Sequence, residues 1–251
     1  MKKTILTMLL ILFIGTSFVF GHDPVKGYIN GAYVVYSSSS SILVKSGNGE
    51  CNGSAWEISS DTSVDLSGML PVGEDFVYIY IDDSASSYPT PTIIGSLTEP
   101  AYSDSNLGWY NGDDRCIGVI WVNSYGNIAE FQNNIQLEYL TTAENVQKVL
   151  EYGNPNGSWQ SLETTAYIPV NATAVYISCQ NSDTADPVRV IVATLETAFQ
   201  YIEARDNSGG TIGTAGWLSM ERGASRDLKW YGLDNDDNSF LIVIRGFRIE
   251  R

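Results

Sequence analysis

The residues able to move protons or attack an electrophile are few. The only histidine is His22. Ser-His-Asp and Cys-His catalysis both need an imidazole held inside the fold, and His22 becomes the chain terminus once a leader over residues 1–21 is removed. A copper brace built on a terminal histidine needs a second histidine, which the sequence lacks. Acidic chemistry is better supplied. Asp61 and Asp65, Asp82 and Asp83, Asp113 and Asp114, and Glu221 could form the two-carboxylate pair of a glycoside hydrolase. Most of these acids fall in turn-rich segments, where Asp is favoured for its local hydrogen bonding. The reading is therefore a protein without catalytic residues, with a carboxylate-based glycosidase as the residual enzymatic option.

Two other groups of side chains could bind rather than react. Asp234-Asn235-Asp236-Asp237-Asn238 packs oxygen donors into one short segment, and Asp234, Asp236 and Asp237 are the candidate ligands for Ca2+. The segment lacks the glycine and the distal glutamate of an EF-hand loop, and a polar hairpin loop explains it equally well. The second group is aromatic. In Phe76-Val77-Tyr78-Ile79-Tyr80-Ile81 the even positions are aromatic and the odd positions aliphatic, so a strand would place them on opposite faces. With Val77, Ile79 and Ile81 facing a core, Tyr78 and Tyr80 face away. Trp109 and Tyr110 follow in a loop. These four are the candidate ligand-binding residues, because exposed rings stack on sugar faces or anchor interfaces. Packing of the same rings against another part of the chain is the competing explanation.

The elements that would carry these residues are strands. Short runs rich in Val, Ile, Tyr, Thr and Trp recur between clusters of Gly, Asn, Asp, Ser and Pro, the rhythm of an antiparallel sandwich. Strands are expected at Ala32–Tyr36, Ser41–Lys45, Ala55–Ile58, Phe76–Ile81, Thr92–Ser96, Arg115–Asn123 and Ile128–Phe131. The second half restarts the pattern at Gln160–Ile168, Ala174–Cys179, Arg189–Thr194, Phe199–Ala204, Trp217–Met220, Lys229–Tyr231, Phe240–Ile244 and Phe247–Ile249. Val122–Ile128 reads as a hairpin with Gly126-Asn127 at its tip. Thr141–Leu150 is the one expected helix, capped by Thr142 with Val146, Val149 and Leu150 on one side. The fold class is all-β: two antiparallel, jelly-roll-like β-sandwich modules over residues 22–150 and 151–251, the first closed by that helical connector.

Composition narrows the compartment and the partners. Lys2 and Lys3, the apolar run Ile5–Phe20, and Val19 and Gly21 ahead of a cut follow the layout of a secretory signal peptide over residues 1–21. A secreted or cell-surface location is expected, with no membrane insertion after cleavage. The chain has 14 basic and 29 acidic residues, a net charge of −15. That balance speaks against nucleic acid and anionic membranes as partners. Cys51, Cys116 and Cys179 are an odd number. Cys116 and Cys179 sit in apolar runs as small core residues, with a Cys51–Cys116 bridge open as an alternative.

Some wording is more specific. Asp75-Phe76-Val77-Tyr78-Ile79-Tyr80-Ile81-Asp82-Asp83, then Pro89-Thr90-Pro91, then Gly108-Trp109-Tyr110-Asn111-Gly112-Asp113-Asp114-Arg115-Cys116-Ile117-Gly118, the Asn123–Ile128 hairpin and Phe131 follow one another. Together they resemble the first module of phage tail-fibre and virion-appendage proteins and their metagenomic relatives, over roughly residues 27–138. The second half, with Trp159 before Ile168-Pro169 and a closing Gly246-Phe247-Arg248-Ile249, is similar to the β-sandwich module that often follows. The resemblance implies an appendage or recognition role without catalysis, often as oligomers. The signal-like N-terminus departs from phage structural proteins and favours an exported cellular relative. Two functions are thus expected: an exported recognition module for a glycan or cell surface, or a structural subunit of an appendage, filament or particle assembling as a homo-oligomer such as a trimer.

Overall fold

A computed structural model describes residues 25–82, 90–133, 138–141, 147–153, 157–181, 188–194, 200–206, 212–222, 226–233 and 240–251. No helix occurs among them, and every pairing between strands is antiparallel. The first half contains β1 (Ile29–Gly31), β2 (Val34–Tyr36), β3 (Ser41–Val44), β4 (Gly47–Cys51), β5 (Ser54–Ile58), β6 (Thr62–Asp65), β7 (Asp75–Asp82), β8 (Thr92–Ser96), β9 (Ala101–Ser103), β10 (Gly108–Asn111) and β11 (Asp114–Val122). Then follow β12 (Phe131–Asn133), β13 (Glu138–Thr141), β14 (Gln147–Gly153), β15 (Gln160–Leu162), β16 (Ala172–Asn181), β17 (Val188–Ala193), β18 (Tyr201–Asp206), β19 (Ile212–Ser219), β20 (Leu228–Leu233) and β21 (Phe240–Ile249).

Alternation explains the layers. In the first half, Val34, Ile42, Val44 and Leu66 of the β2-β3-β6 side are buried with Val77, Ile79 and Ile81 of the β8-β7-β11-β10-β9 sheet. A side chain at Gly95, which pairs with Ile79, would run into Met69 and Leu66. In the second half, Val190, Val192, Ile202, Ala204, Leu228 and Trp230 of the β15-β20-β17-β18 sheet join one buried cluster with Val175, Ile177, Cys179, Ile242 and Ile244 of the β12-β13-β21-β16-β19 sheet. The apolar run expected to split at Ile244 continues instead as the single long strand β21, kinked by a register shift against β16 between Tyr176 and Ile177.

The Thr141–Leu150 helix does not form where the chain is described. Thr141 ends β13, and residues 147–150 open β14, which pairs with β21 through Gln147 opposite Ile244 and Leu150 opposite Ile242. Residues 142–146 lie outside the described residues. Ladder bonds offered by β21 outweigh a modest helix propensity. Trp109 and Tyr110, expected in a loop, belong to β10 and pair with Tyr102 and Arg115.

Arg115 anchors the junction of these sheets. It follows the Asp113-Asp114 turn and is fully buried. Its guanidinium reaches oxygens from other segments of the chain, two of them distant in sequence. Its Nη2 donates to the main-chain oxygens of Arg251 at 2.7 Å and Gly27 at 3.3 Å, and its Nη1 donates to the Tyr110 hydroxyl at 3.0 Å and reaches the Leu107 carbonyl at 3.4 Å. The guanidinium lies where a side chain at Gly108 would be, with Nη1 1.7 Å from that Cβ position. Arg251 completes the node. Its Nη1 donates to the carbonyls of Gly31 at 2.6 Å and Ala32 at 3.2 Å. Ala32 holds φ 50°, a costly left-handed conformation for a residue with a Cβ. Burial pulls the Arg251 pKa below its ordinary value, and the Arg115 charge pulls it the same way.

All three cysteines are free thiols and buried, so the Cys51–Cys116 bridge is not formed. Cys51 Sγ donates to Asp113 O at 3.3 Å and Cys116 Sγ to Gly118 O at 3.4 Å.

Replacing Arg115 by Met strands several buried carbonyls and is expected to cost on the order of 3 kcal/mol in urea denaturation. Gly108→Ala is expected to cost about 1–3 kcal/mol by overpacking. The double variant should lose less than the sum, because removing the guanidinium vacates the space the methyl needs. Strict additivity would show that the two do not share a node.

Burial pushes the Cys116 and Cys179 thiols up from 9.0 to about 12. Both are protonated in the folded state, where the unfolded chain would ionise. Their contribution to stability is full below pH 9 and is lost as pH rises toward 12. Native protein should therefore be inert to a thiol reagent at pH 8, should titrate three thiols once denatured, and should lose stability above pH 9. A reactive thiol in the native state would contradict this burial.

Candidate functional site

The structure places all four aromatic candidates inside the protein. Tyr78 and Tyr80 are 1% and 0% exposed, and Trp109 and Tyr110 are each 4% exposed. The exposed stacking face expected from their spacing is therefore corrected: β7 is buried on both faces. Its aromatic face meets the second half of the chain. The Tyr78 hydroxyl accepts from Val170 N at 3.5 Å and donates to Glu99 Oε1 at 3.4 Å, while the Tyr80 hydroxyl donates to Thr98 O at 2.7 Å. Trp109 Nε1 donates to Glu250 Oε2 at 3.1 Å. Tyr110 holds the Arg115 guanidinium, whose carbon sits 4.9 Å from its ring centroid. Burial pushes the Tyr78 and Tyr80 phenols above their ordinary pKa. These rings are structural.

Two ion pairs close the same interface. Arg222 binds both Glu250 oxygens while stacking on Tyr102 at 3.7 Å. Arg226 binds Glu99 at 2.8 Å and donates to Ile168 O at 3.0 Å.

Of the candidate carboxylates, Asp82 and Asp114 end up beside one another, one step past the Ile81–Arg115 pair where β7 ends and β11 begins. Asp61 pairs with Lys45, and this bond together with the Ser46 N–H holds its carboxyl below the usual carboxylate range. Asp65 is held low by the N–H and hydroxyl of Ser67. Asp113 lies in the turn before Arg115, and Glu221 is exposed near Arg222. Among the described residues no three metal-ligating side chains converge. Asp83 and the calcium candidates Asp234, Asp236 and Asp237 lie outside the described residues.

Among the described residues, one open groove lies at an end of the first half. Three loops build it: Ser40 before β3, Ser67 to Gly73 between β6 and β7, and the Ser124–Asn127 tip after β11. Its volume is about 430 Å³, within the range of small-ligand sites. The tip is fixed by its own backbone. Asn123 N donates to Asn127 O at 2.8 Å and Gly126 N to Asn123 O at 2.9 Å. The Asn123 carboxamide oxygen accepts from Tyr125 N at 3.0 Å and Asn127 N at 3.2 Å. Gly126 takes φ 74°, which a residue with a Cβ resists, and a side chain there would also press on Pro71 O at 3.3 Å. The opposite wall is tied to the core through Leu66 N to Ser40 O and Ile128 N to Ser39 O.

The consequence is one aromatic ring held out in water. Tyr125 is 86% exposed, and Val72 on the facing loop is fully exposed. Ser40, Ser124 and Asn127 line the groove with them. Sequence reading treated Tyr125 only as a turn residue. The available signal was an aromatic ring placed among Asn, Ser and Gly in a hairpin tip, where no core can reach it. A second depression of about 310 Å³, beside Asn30, Asn48 and Glu57, has no aromatic ring in its lining.

No family model matches the chain, and no curated protein matches it. Among solved structures it is similar at 9% identity to a chain of "Structure of infectious bursal disease virus Gx strain", over 91% of this chain and 76% of that one, with a TM-score of 0.15, too low to draw a shared fold.

Proposed function

We propose that this chain is an exported, non-enzymatic recognition module that binds a glycan, free or on a cell surface, through the groove around Tyr125. The observation that carries the reading is a tyrosine ring 86% exposed on a rigid tip, beside an open groove edged with hydroxyl and carboxamide groups. Sugars present C–H faces that stack on aromatic rings and hydroxyls that need hydrogen-bond partners, so both halves of that chemistry are provided. A rigid tip also spares the entropy of ordering a loop on binding. The resemblance to tail-fibre modules supports the same class of role.

A second reading, a homo-oligomeric structural subunit, draws on a different observation. Val25, Tyr28 and Leu107 are 76%, 46% and 52% exposed, and Gly27 packs directly on Leu107 between them. Light scattering of the processed chain separates the readings: a concentration-independent trimer favours the second, a monomer the first.

On a glycan array and in calorimetry, Tyr125→Ala is expected to weaken binding at least about tenfold, or about 1.4 kcal/mol. Its stability should stay within about 0.5 kcal/mol of wild type, because the ring is exposed. Undiminished binding by the variant would remove the groove from the proposal. N-terminal sequencing of secreted protein is expected to begin at His22.

A further inference from the structure

We infer that the Tyr125 groove selects uncharged sugars and rejects uronates, sialates and sulfated sugars. This rests on the glycan reading above and specifies its ligand class.

Anion recognition needs either cationic side chains or a cluster of free backbone N–H groups. No Lys or Arg contributes to the lining of the groove. Three N–H groups of the tip are spent inside the turn: those of Tyr125 and Asn127 on the Asn123 carboxamide oxygen, that of Gly126 on Asn123 O. On the other wall, Ser67 N is held by Asp65 Oδ1 at 3.0 Å. The charges that border the groove are negative. Asp65 touches Ser67, and exposed Glu74 and Asp75 follow Gly73 directly. The chain as a whole carries −15, which adds a long-range repulsion toward any anionic polymer. A carboxylated or sulfated sugar entering here would lose hydration and meet like charge. An uncharged sugar meets the Tyr125 ring, Val72 and the hydroxyl and carboxamide groups of Ser40, Ser124 and Asn127.

The test uses the full processed chain and pairs of oligosaccharides differing only in oxidation of the C6 alcohol to a carboxylate, such as cello-oligosaccharides against their C6-oxidised β-1,4-glucuronate counterparts. Calorimetry is run at low and high NaCl on wild type, Tyr125→Ala, Tyr125→Phe and Ser124→Lys. The expected result is binding of at least one neutral member, at least about tenfold tighter than its acidic twin. That affinity should be indifferent to salt, kept by Tyr125→Phe and lost by Tyr125→Ala. Ser124→Lys should raise the affinity for the acidic twin and make it salt-dependent. An acidic twin that binds wild type as tightly as the neutral one, and is lost in Tyr125→Ala, overturns the charge selection and leaves the groove reading standing. Binding that survives Tyr125→Ala, or no binding by any pair, overturns the groove reading and this inference with it.

Discussion

The sheet built on β7 and β11 is apolar on both faces, and an apolar face must be covered. Val77, Ile79 and Ile81 are covered by the β2-β3-β6 layer, as in an ordinary sandwich. Phe76, Tyr78 and Tyr80 on the other face, with Val119 and Trp121 beside them in register, would otherwise stand in water. The second half of the chain covers them. A line of rings records this: Tyr36 to Phe131 at 6.2 Å, Phe131 to Tyr139 at 5.4 Å, Tyr139 to Phe247 at 5.2 Å, Phe247 to Phe76 at 5.8 Å, Phe76 to Trp121 at 5.0 Å and Trp121 to Tyr167 at 6.0 Å. Each such pair adds roughly 1 kcal/mol beyond the area it buries. The two halves therefore share one core, and β13 and β14 extend that union by pairing with β21.

A shared core brings distant chain segments together, and their backbone polar groups need partners. The Arg115–Arg251 node meets that need. Two guanidiniums present many donors in planar forks, and the orphan oxygens of Gly27, Gly31, Ala32, Leu107 and Arg251 are what they find. Burial lowers the Arg251 pKa, and the repulsion between the two cations adds to it. Their retention is understandable because a buried carbonyl without a donor costs about 1–3 kcal/mol. Around the rim, Glu250 and Glu99 neutralise Arg222 and Arg226, so the seam carries its ion pairs where water still reaches them.

Much of this was legible in the sequence. Turn clusters and β-branched runs located the principal strands, because burial of alternate side chains leaves a period that needs no tertiary knowledge. The short strands β1, β9 and β13 left no such period. Residues 147–150 read as helix because nothing local announces that β21 will offer them a ladder. The aromatic face of β7 was legible as a face but not as an interface: Phe76, Tyr78 and Tyr80 alternate in the same way whether they meet solvent or another sheet. The role of Arg115 was not legible for a related reason: the oxygens it holds come from residues 27, 107, 110 and 251, two of which lie far from it in sequence. Tyr125 escaped notice because a single exposed ring in a turn has no periodicity to betray it.

That last contrast bears on where recognition can reside. A core that uses the aromatic face of its central sheet to join the two halves commits many of its rings to packing. Tyr201 is half exposed on β18, and Tyr28 lies near Leu107, but neither borders a concavity among those described. Tyr125 does, and it is held there by a carboxamide that spends two backbone N–H groups on rigidity. A tip stiffened in this way gains nothing for the core, since its ring touches almost none of it. Function carried by a loop on a rigid scaffold is the general solution, and here the loop end holds the most exposed of the described rings.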